Sequence, residues 1–370
     1  MKRFDSLDAL RGLAILIMIF VDAPPVLEKI YPIFVHAQWE GLTFADLAFP
    51  GFVFTMGASA AISMSKRRPS RQKILKRAAI LFAIGILFNE LPYIFAYFLW
   101  DNFAGADFYE RAIAHIRIFG ILQRLALTYA LGMFIVLTLR SEMKIFYTAF
   151  LLLILSSIGF HIYAPDNPFA DGNNISQAID FILPGVNHIC EATHDPEGLY
   201  GTFACTASFL FGFFEGKILL ENSRTKEKVM VICAAGVILL IAGGIWSNFD
   251  IIAKRIWTAP FALITSGIEI LLFAAIIYAL DRIPKAKNFL RPLCAIGMNP
   301  LFFFLMSNFM LLFFKILQVD GTGVYFLAYE TVFEKIISPE FGSTIFCLIW
   351  TLSWLPLAQI LYNRKVVIKI

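Results

Sequence analysis

Residues 257–280 read WTAPFALITSGIEILLFAAIIYAL, 24 positions carrying a single charge, Glu269. At 1.5 Å of rise per residue such a stretch makes a helix about 36 Å long, and the hydrocarbon core of a bilayer is roughly 30 Å thick. A lipid-crossing helix is the plain reading of an apolar run of this length. Comparable runs cover 7–24, 44–65, 75–98, 117–139, 144–163, 199–220, 229–247, 289–314 and 342–362. The fold class they predict is all-α, a polytopic transmembrane helical bundle of about ten spans, with nine and eleven as bounds. It forms a single domain over residues 1–370. The third run admits a re-entrant piece, because Asn89, Glu90 and Pro92 interrupt it before the aromatic stretch from Tyr93 to Trp100.

Composition agrees. Of 370 residues, 59% are hydrophobic and 16% charged, with 39 phenylalanines, against about 25% charged in an ordinary globular chain. A water-soluble domain is excluded on that ground. The net charge of +4 is no argument for nucleic acid, since Lys and Arg in a membrane protein mostly fix its orientation. Cys205, Cys233, Cys294 and Cys347 fall in apolar stretches and Cys190 in a polar loop, so neither a disulfide framework nor a metal site follows from their spacing.

With the N-terminus placed in the cytoplasm, the inner segments hold 22 of the 31 basic residues, among them Lys2, Arg3, Lys66, Arg67, Arg68, Lys73, Arg77 and Lys369. The outer segments hold seven: Lys29, Arg111, Arg117, Lys254, Arg255, Lys315 and Lys335. The positive-inside rule therefore predicts both termini in the cytoplasm. The long outer loop, 164–198, has six acidic residues and no Lys or Arg. It contains Asn174-Ile175-Ser176, a glycosylation acceptor in form. Asp5, Asp8 and Arg11 break the core that a signal peptide would need, so the first segment reads as a retained helix. The sequence presents no repeat of 20 to 50 residues and no low-complexity linker.

The informative residues are those that hydrocarbon should exclude, each charge costing about 2.5–3.5 kcal/mol at a helix centre on insertion scales. Asp8 and Arg11, three apart, either pair on one helix face or leave Arg11 to snorkel to the headgroups. Asp22 ends the first helix ahead of Ala23-Pro24-Pro25. His36 follows on the same side, with Asp22, Glu40 and Asp46 close in the chain, and a carboxylate that orients an imidazole is how a general base is built. Gln123 and Arg124 lie roughly 10 Å into the fourth helix, placed for a buried pairing or an anionic ligand. Glu269 is the most costly acid. Gly297-Met298-Asn299-Pro300 puts an amide beside a helix breaker, either a kink or a break that opens backbone to a cavity.

Together these stretches resemble the heparan-α-glucosaminide N-acetyltransferase family and its bacterial relatives. The likeness begins at Ser6-Leu7-Asp8-Ala9-Leu10-Arg11-Gly12. It continues through His36-Ala37-Gln38-Trp39-Glu40-Gly41-Leu42-Thr43, Ala45-Asp46-Leu47-Ala48-Phe49-Pro50 and Gly120-Ile121-Leu122-Gln123-Arg124-Leu125. Asp195-Pro196-Glu197-Gly198-Leu199, Gly201-Thr202, Ile256-Trp257-Thr258-Ala259-Pro260 and Gly297-Met298-Asn299 follow in order. The opening motif alone is shared with other membrane acyltransferases; the histidine motif followed by Asp-Pro-Glu-Gly is specific.

The resemblance implies a transmembrane enzyme that takes an acetyl group from cytoplasmic acetyl-CoA, a cosubstrate, and delivers it to the amine of a terminal glucosamine on the other side. His36 matches the family's active-site histidine. Asp22 stands where the family usually has an asparagine, and Glu40 replaces a common Asn. His36 and Asp22 are the implied catalytic pair, with Asp46, Glu40, Asp8 and Asn299 in support and Arg11, Gln123 and Arg124 as acetyl-CoA-binding candidates. No metal is implied. The implied partners are an amino-sugar or glycan acceptor and the lipid bilayer, with a homodimer left open, and the implied location is a bacterial inner membrane. An attacking ammonium must lose a proton, and an imidazole can accept it close to neutral pH. The residues leave open direct transfer or an acetyl-histidine, an O-acyltransferase with a hydroxyl acceptor, and a transporter of a small polar solute. Inverted repeats would favour the transporter, and none is visible.

Overall fold

A computed structural model describes residues 4–99 and 114–368. Lys2, Arg3, Arg111 and Lys369 of the charge count, and Trp100 of the aromatic run, lie outside the described residues.

The described chain is helical almost throughout. In order come α1 (Asp5–Val21), α2 (Ala48–Lys66), α3 (Arg71–Leu99), α4 (Ile121–Leu139), α5 (Glu142–Tyr163), α6 (Ile175–Ile182), α7 (Thr202–Leu220), α8 (Thr225–Trp246) and α9 (Ala259–Arg282). There follow α10 (Ala286–Gly297), α11 (Pro300–Ile316), α12 (Val324–Ala328), α13 (Pro339–Leu352) and α14 (Leu355–Asn363). One two-stranded ladder, β1 (Gln318–Val319) with β2 (Thr322–Gly323), turns over Asp320 and Gly321, both in the left-handed region.

All ten expected spans are helical. Among the described residues eight helices are long and apolar enough to cross a membrane, the last formed by α13 and α14 together, and a ninth is the pair α10 and α11, bent by 71° at their junction. The tenth is α1, whose 17 residues rise only about 26 Å. The break before Pro300 is therefore a sharp bend rather than a mild kink.

Burial sorts the helices into an inner set and a rim. α2, α7 and α9 are buried on most of their surface, while α5 and α8 expose Tyr147, Leu151, Leu155, Val237, Ile241 and Ile245. In water such rows would be a liability; against lipid tails they are the expected solvent-facing surface. Two inner contacts bring backbones together. A Cβ on Gly297 would sit 1.8 Å from the carbonyl oxygen of Asp8, and one on Gly12 would sit 1.9 Å from that of Leu293, so only glycine allows α1 and α10 to touch there. Glu269 of α9 lies buried with its carboxyl group against Gly51 of α2.

The loop 164–198 is folded. Asn174 is buried and caps α6, its Oδ1 accepting from the amides of Ser176 and Gln177 and its Nδ2 donating to the Ala170 carbonyl. The triplet there is a helix cap, and its amide is already spent.

Candidate active site

Two polar regions lie at opposite ends of α1. The first is built around His36. The prolines after Ala23 stop α1, and three short turns carry the chain to α2. In the last of them Thr43 and Asp46 cap each other, which draws Asp46 into full burial. Its Oδ2 accepts from the amides of Ala37 and Thr43, at 3.2 and 2.9 Å, and from the Thr43 hydroxyl at 3.0 Å. Its Oδ1 lies 2.9 Å from His36 Nδ1. With its oxygens engaged as acceptors, the carboxylate takes Nδ1–H as a donor and leaves the proton-accepting lone pair to Nε2 of the half-exposed ring.

Lys254, from the loop between α8 and α9, stands beside the ring. Lys254 Nζ is 3.1 Å from Nε2, 3.0 Å from Nδ1 and 3.8 Å from Asp46 Oδ1. The Gly41 amide donates to the Ile252 carbonyl at 2.7 Å and ties the two loops together. Burial pulls the Lys254 ammonium below the usual lysine range, against the attraction of Asp46, Glu197 and Asp22.

Asp22 ends α1 beside this cluster, within electrostatic reach of His36, Lys254 and Lys315. Its Oδ2 accepts from Asn308 of α11 at 3.2 Å. The carboxylate within hydrogen-bonding distance of the imidazole is thus Asp46, whereas the resemblance pairs His36 with Asp22. The reason is geometric: the residue after α1 is committed to α11, while the capping turn before α2 presents its carboxylate to the ring. Glu40 is exposed on the same loop.

Asp195-Pro196-Glu197-Gly198 forms a clamp behind the cluster. Arg117 Nε donates to Asp195 Oδ2 at 3.0 Å, and Nη2 donates to Asp195 Oδ1 at 2.7 Å and to Glu197 Oε2 at 2.6 Å. Burial raises Glu197, but Arg117, Arg124 and Lys254 outweigh it and hold the carboxyl below its ordinary range. Asp180 accepts from the amides of Asp195 and Leu199, at 3.2 and 3.3 Å. A Cβ on Gly198 would fall 2.3 Å from Asp180 Oδ2, so the motif must end in glycine. The freed Gly198 carbonyl accepts from Arg124 Nη2 at 2.7 Å, and the guanidinium lies over the Trp257 ring at 5.3 Å.

The second region surrounds Arg11. Its Nη1 donates to Asp8 at 3.3 Å and to the Gly297 carbonyl at 3.0 Å, and Nη2 donates to Ser59, so the Asp8–Arg11 pair forms. Arg11, Ser59, Ser63, Pro69 and Lys73 line two adjoining cavities of about 590 and 680 Å³. The first adds Arg77 and Asn299, the second Lys66, Arg67 and Arg68. Among the described residues Asp8 is the one acidic residue in either lining. Asn299 borders the first cavity and holds a neighbouring segment, donating to the Val366 carbonyl at 3.0 Å and accepting from the Ile368 amide at 2.8 Å.

Of the residues expected at an acetyl-CoA site, Arg11 lies on these walls; Gln123 and Arg124 do not, being buried at 0% and 1% exposure. Sequence reading missed Lys254, which stood in the count only as an outer charge although Trp257-Thr258-Ala259-Pro260 was singled out three residues later. No spacing rule links residue 254 to residue 36. It also missed Lys73 and Arg77, whose only signal was the basic run after α2.

Residues 3–243 match the family model described as heparan-alpha-glucosaminide N-acetyltransferase, catalytic. The chain is 28% identical over 330 positions to the heparan-alpha-glucosaminide N-acetyltransferase of Homo sapiens, covering 72% of this chain and 47% of that protein. It is 27% identical over 321 positions to the protein of the same name from Mus musculus, covering 70% and 46%. The chain thus spans about half the length of the curated relatives it matches.

Proposed function

Because the chain belongs to the heparan-alpha-glucosaminide N-acetyltransferase family, we propose that it is a transmembrane acetyltransferase that moves an acetyl group from cytoplasmic acetyl-CoA to the amine of a glucosamine-type sugar on the other side of the membrane, in a bacterial inner membrane. The observation that carries this reading is the pairing of His36 with buried Asp46 at one end of α1 and a cationic cavity around Arg11 at the other. Eleven residues separate Arg11 from Asp22, about 16 Å of helix, a span suited to a pantetheine arm. The phosphates of the donor need cations, and Arg11, Lys66, Lys73 and Arg77 supply them. The positive-inside count supports a cytoplasmic position for that cavity and an outer one for His36.

In this reading the acceptor amine, having given one ammonium proton to water, attacks the thioester carbonyl with its nitrogen lone pair while a second N–H proton passes to His36 Nε2. The C–S bond breaks as the C–N bond forms, and the proton on His36 passes to the departing thiolate. Asp46 holds the ring and stabilises the imidazolium. Asp46→Asn would place an amide N–H against the amides of Ala37 and Thr43 or against Nδ1–H, so kcat is expected to fall about 100-fold or more; a kcat within a few fold of wild type would remove Asp46 from this role.

The function is tested by incubating membranes that contain the protein with acetyl-CoA labelled in the acetyl group and with glucosamine. Label is expected in N-acetylglucosamine, and absence of transfer would sink the reading. The donor end is tested by Lys73→Gln with Arg77→Gln. Two exposed ion pairs at about 1 kcal/mol each predict a KM for acetyl-CoA raised roughly tenfold or more with kcat unchanged.

A further inference from the structure

Lys254 occupies the place where a second amine would have to stand. Since Asp46 takes Nδ1–H, the proton-accepting atom of His36 is Nε2, and Lys254 Nζ is 3.1 Å from it. As an ion pair the contact with Asp46 is long, at 3.8 Å; the nearer partner is the base. The side chain is largely buried, at 16% exposure, and burial favours its neutral, nucleophilic form over the ammonium. Asp46, Glu197 and Asp22 oppose that tendency and Arg255 adds to it. Lys73, Lys226 and Lys285 are exposed. Nζ lies almost equidistant from the two ring nitrogens, at 3.0 and 3.1 Å, off the line of the Nε2 lone pair, so a rotation of the lysine side chain brings this primary amine to the proton-accepting atom.

We propose that Lys254 is an internal acetyl acceptor: with donor bound and no external amine present, His36 directs the acetyl group onto Lys254 Nζ. This rests on the acetyltransferase reading above. The Nζ lone pair attacks the thioester carbonyl while Nζ–H passes to His36 Nε2. The carbon–sulfur bond breaks, the thiolate takes the proton from the imidazolium, and the products are Nε-acetyl-Lys254 and the thiol of coenzyme A. The modified side chain is a neutral amide lying against Nε2, so it both removes a cation from the site and blocks the base. An external amine must displace Lys254 to reach the same atom, which makes the acceptor a protectant.

The test uses the full chain in detergent micelles with acetyl-CoA, with and without glucosamine, followed by intact mass and peptide mapping. The expected result is a gain of one acetyl group per chain at Lys254, about 100-fold faster than at exposed Lys226, the size of a general-base contribution. It is lost in His36→Ala and in His36→Gln and is suppressed by glucosamine. Acetylation of glucosamine by wild type, with residue 254 left unmodified when glucosamine is omitted, overturns this proposal and leaves the acetyltransferase reading standing. Modification of Lys254 that persists in both His36 variants is spontaneous chemistry and also overturns it. Labelling of neither sugar nor lysine overturns the donor reading and the proposal together.

Discussion

His36→Ala is expected to lower acetyl transfer to glucosamine by about 10²- to 10⁴-fold, the contribution typical of a positioned general base. The side chain is half-exposed and is held by one carboxylate on the surface of a loop, so its removal opens no core cavity and the folded fraction should not change. The loss should appear in kcat rather than in the KM for acetyl-CoA, because the cationic cavity lies at the other end of α1. Alanine also leaves Asp46 with one acceptor unmatched and Lys254 as its remaining cation, a local rearrangement that binding of the donor would not sense. Parallel progress curves for wild type and variant decide the matter, and equal rates would remove His36 from the chemistry.

Arg117→Met is expected to be the most destabilising single change in the clamp. Its guanidinium makes three charge-assisted hydrogen bonds to Asp195 and Glu197. Without it the fully buried Asp195 carboxylate keeps only backbone donors, the amides of Cys190 and Glu197. Breaking a buried pair by removing one partner costs about 3–5 kcal/mol, and the partial exposure of Arg117 argues for the lower end, about 3 kcal/mol. The thermal unfolding midpoint of the detergent-solubilised protein should drop by several degrees. Arg117→Lys should recover part of the loss, since it restores the charge without the two-pronged geometry. An unchanged midpoint for the methionine variant would show that the clamp bears no stability. Activity should fall as well, because Glu197 is one of the carboxylates that faces Lys254.

The helices were legible because lipid imposes a single requirement over about 20 consecutive residues, and each of the ten apolar runs became helix. The length of α1 was less legible: Asp5 and Asp8 lie inside the helix while Asp22 lies beyond it, and hydropathy alone blurs those edges. In the site, His36 and its neighbourhood could be read from chain proximity, but the choice between Asp22 and Asp46 could not. It depends on a capping turn that aims one carboxylate inward and on Asn308, 286 positions away, that occupies the other. Arg124 and Gln123 drew attention as polar residues at depth, and depth alone does not distinguish a ligand contact from a strut. The partners Arg124 has in the structure, the Gly198 carbonyl and Trp257, lie 74 and more positions along the chain.

The glycine contact between α1 and α10 has a consequence for selectivity. Gly12 and Gly297 let the backbones of α1 and α10 touch, and α1 is one continuous helix that carries Arg11 near one end and Asp22 at the other. The separation between the anion-holding end and the proton-accepting end is then a constant of the fold. In the proposed reaction α1 works as a measuring rod: it selects among thioesters by the length of the arm between phosphate and carbonyl, whatever the identity of the acyl group.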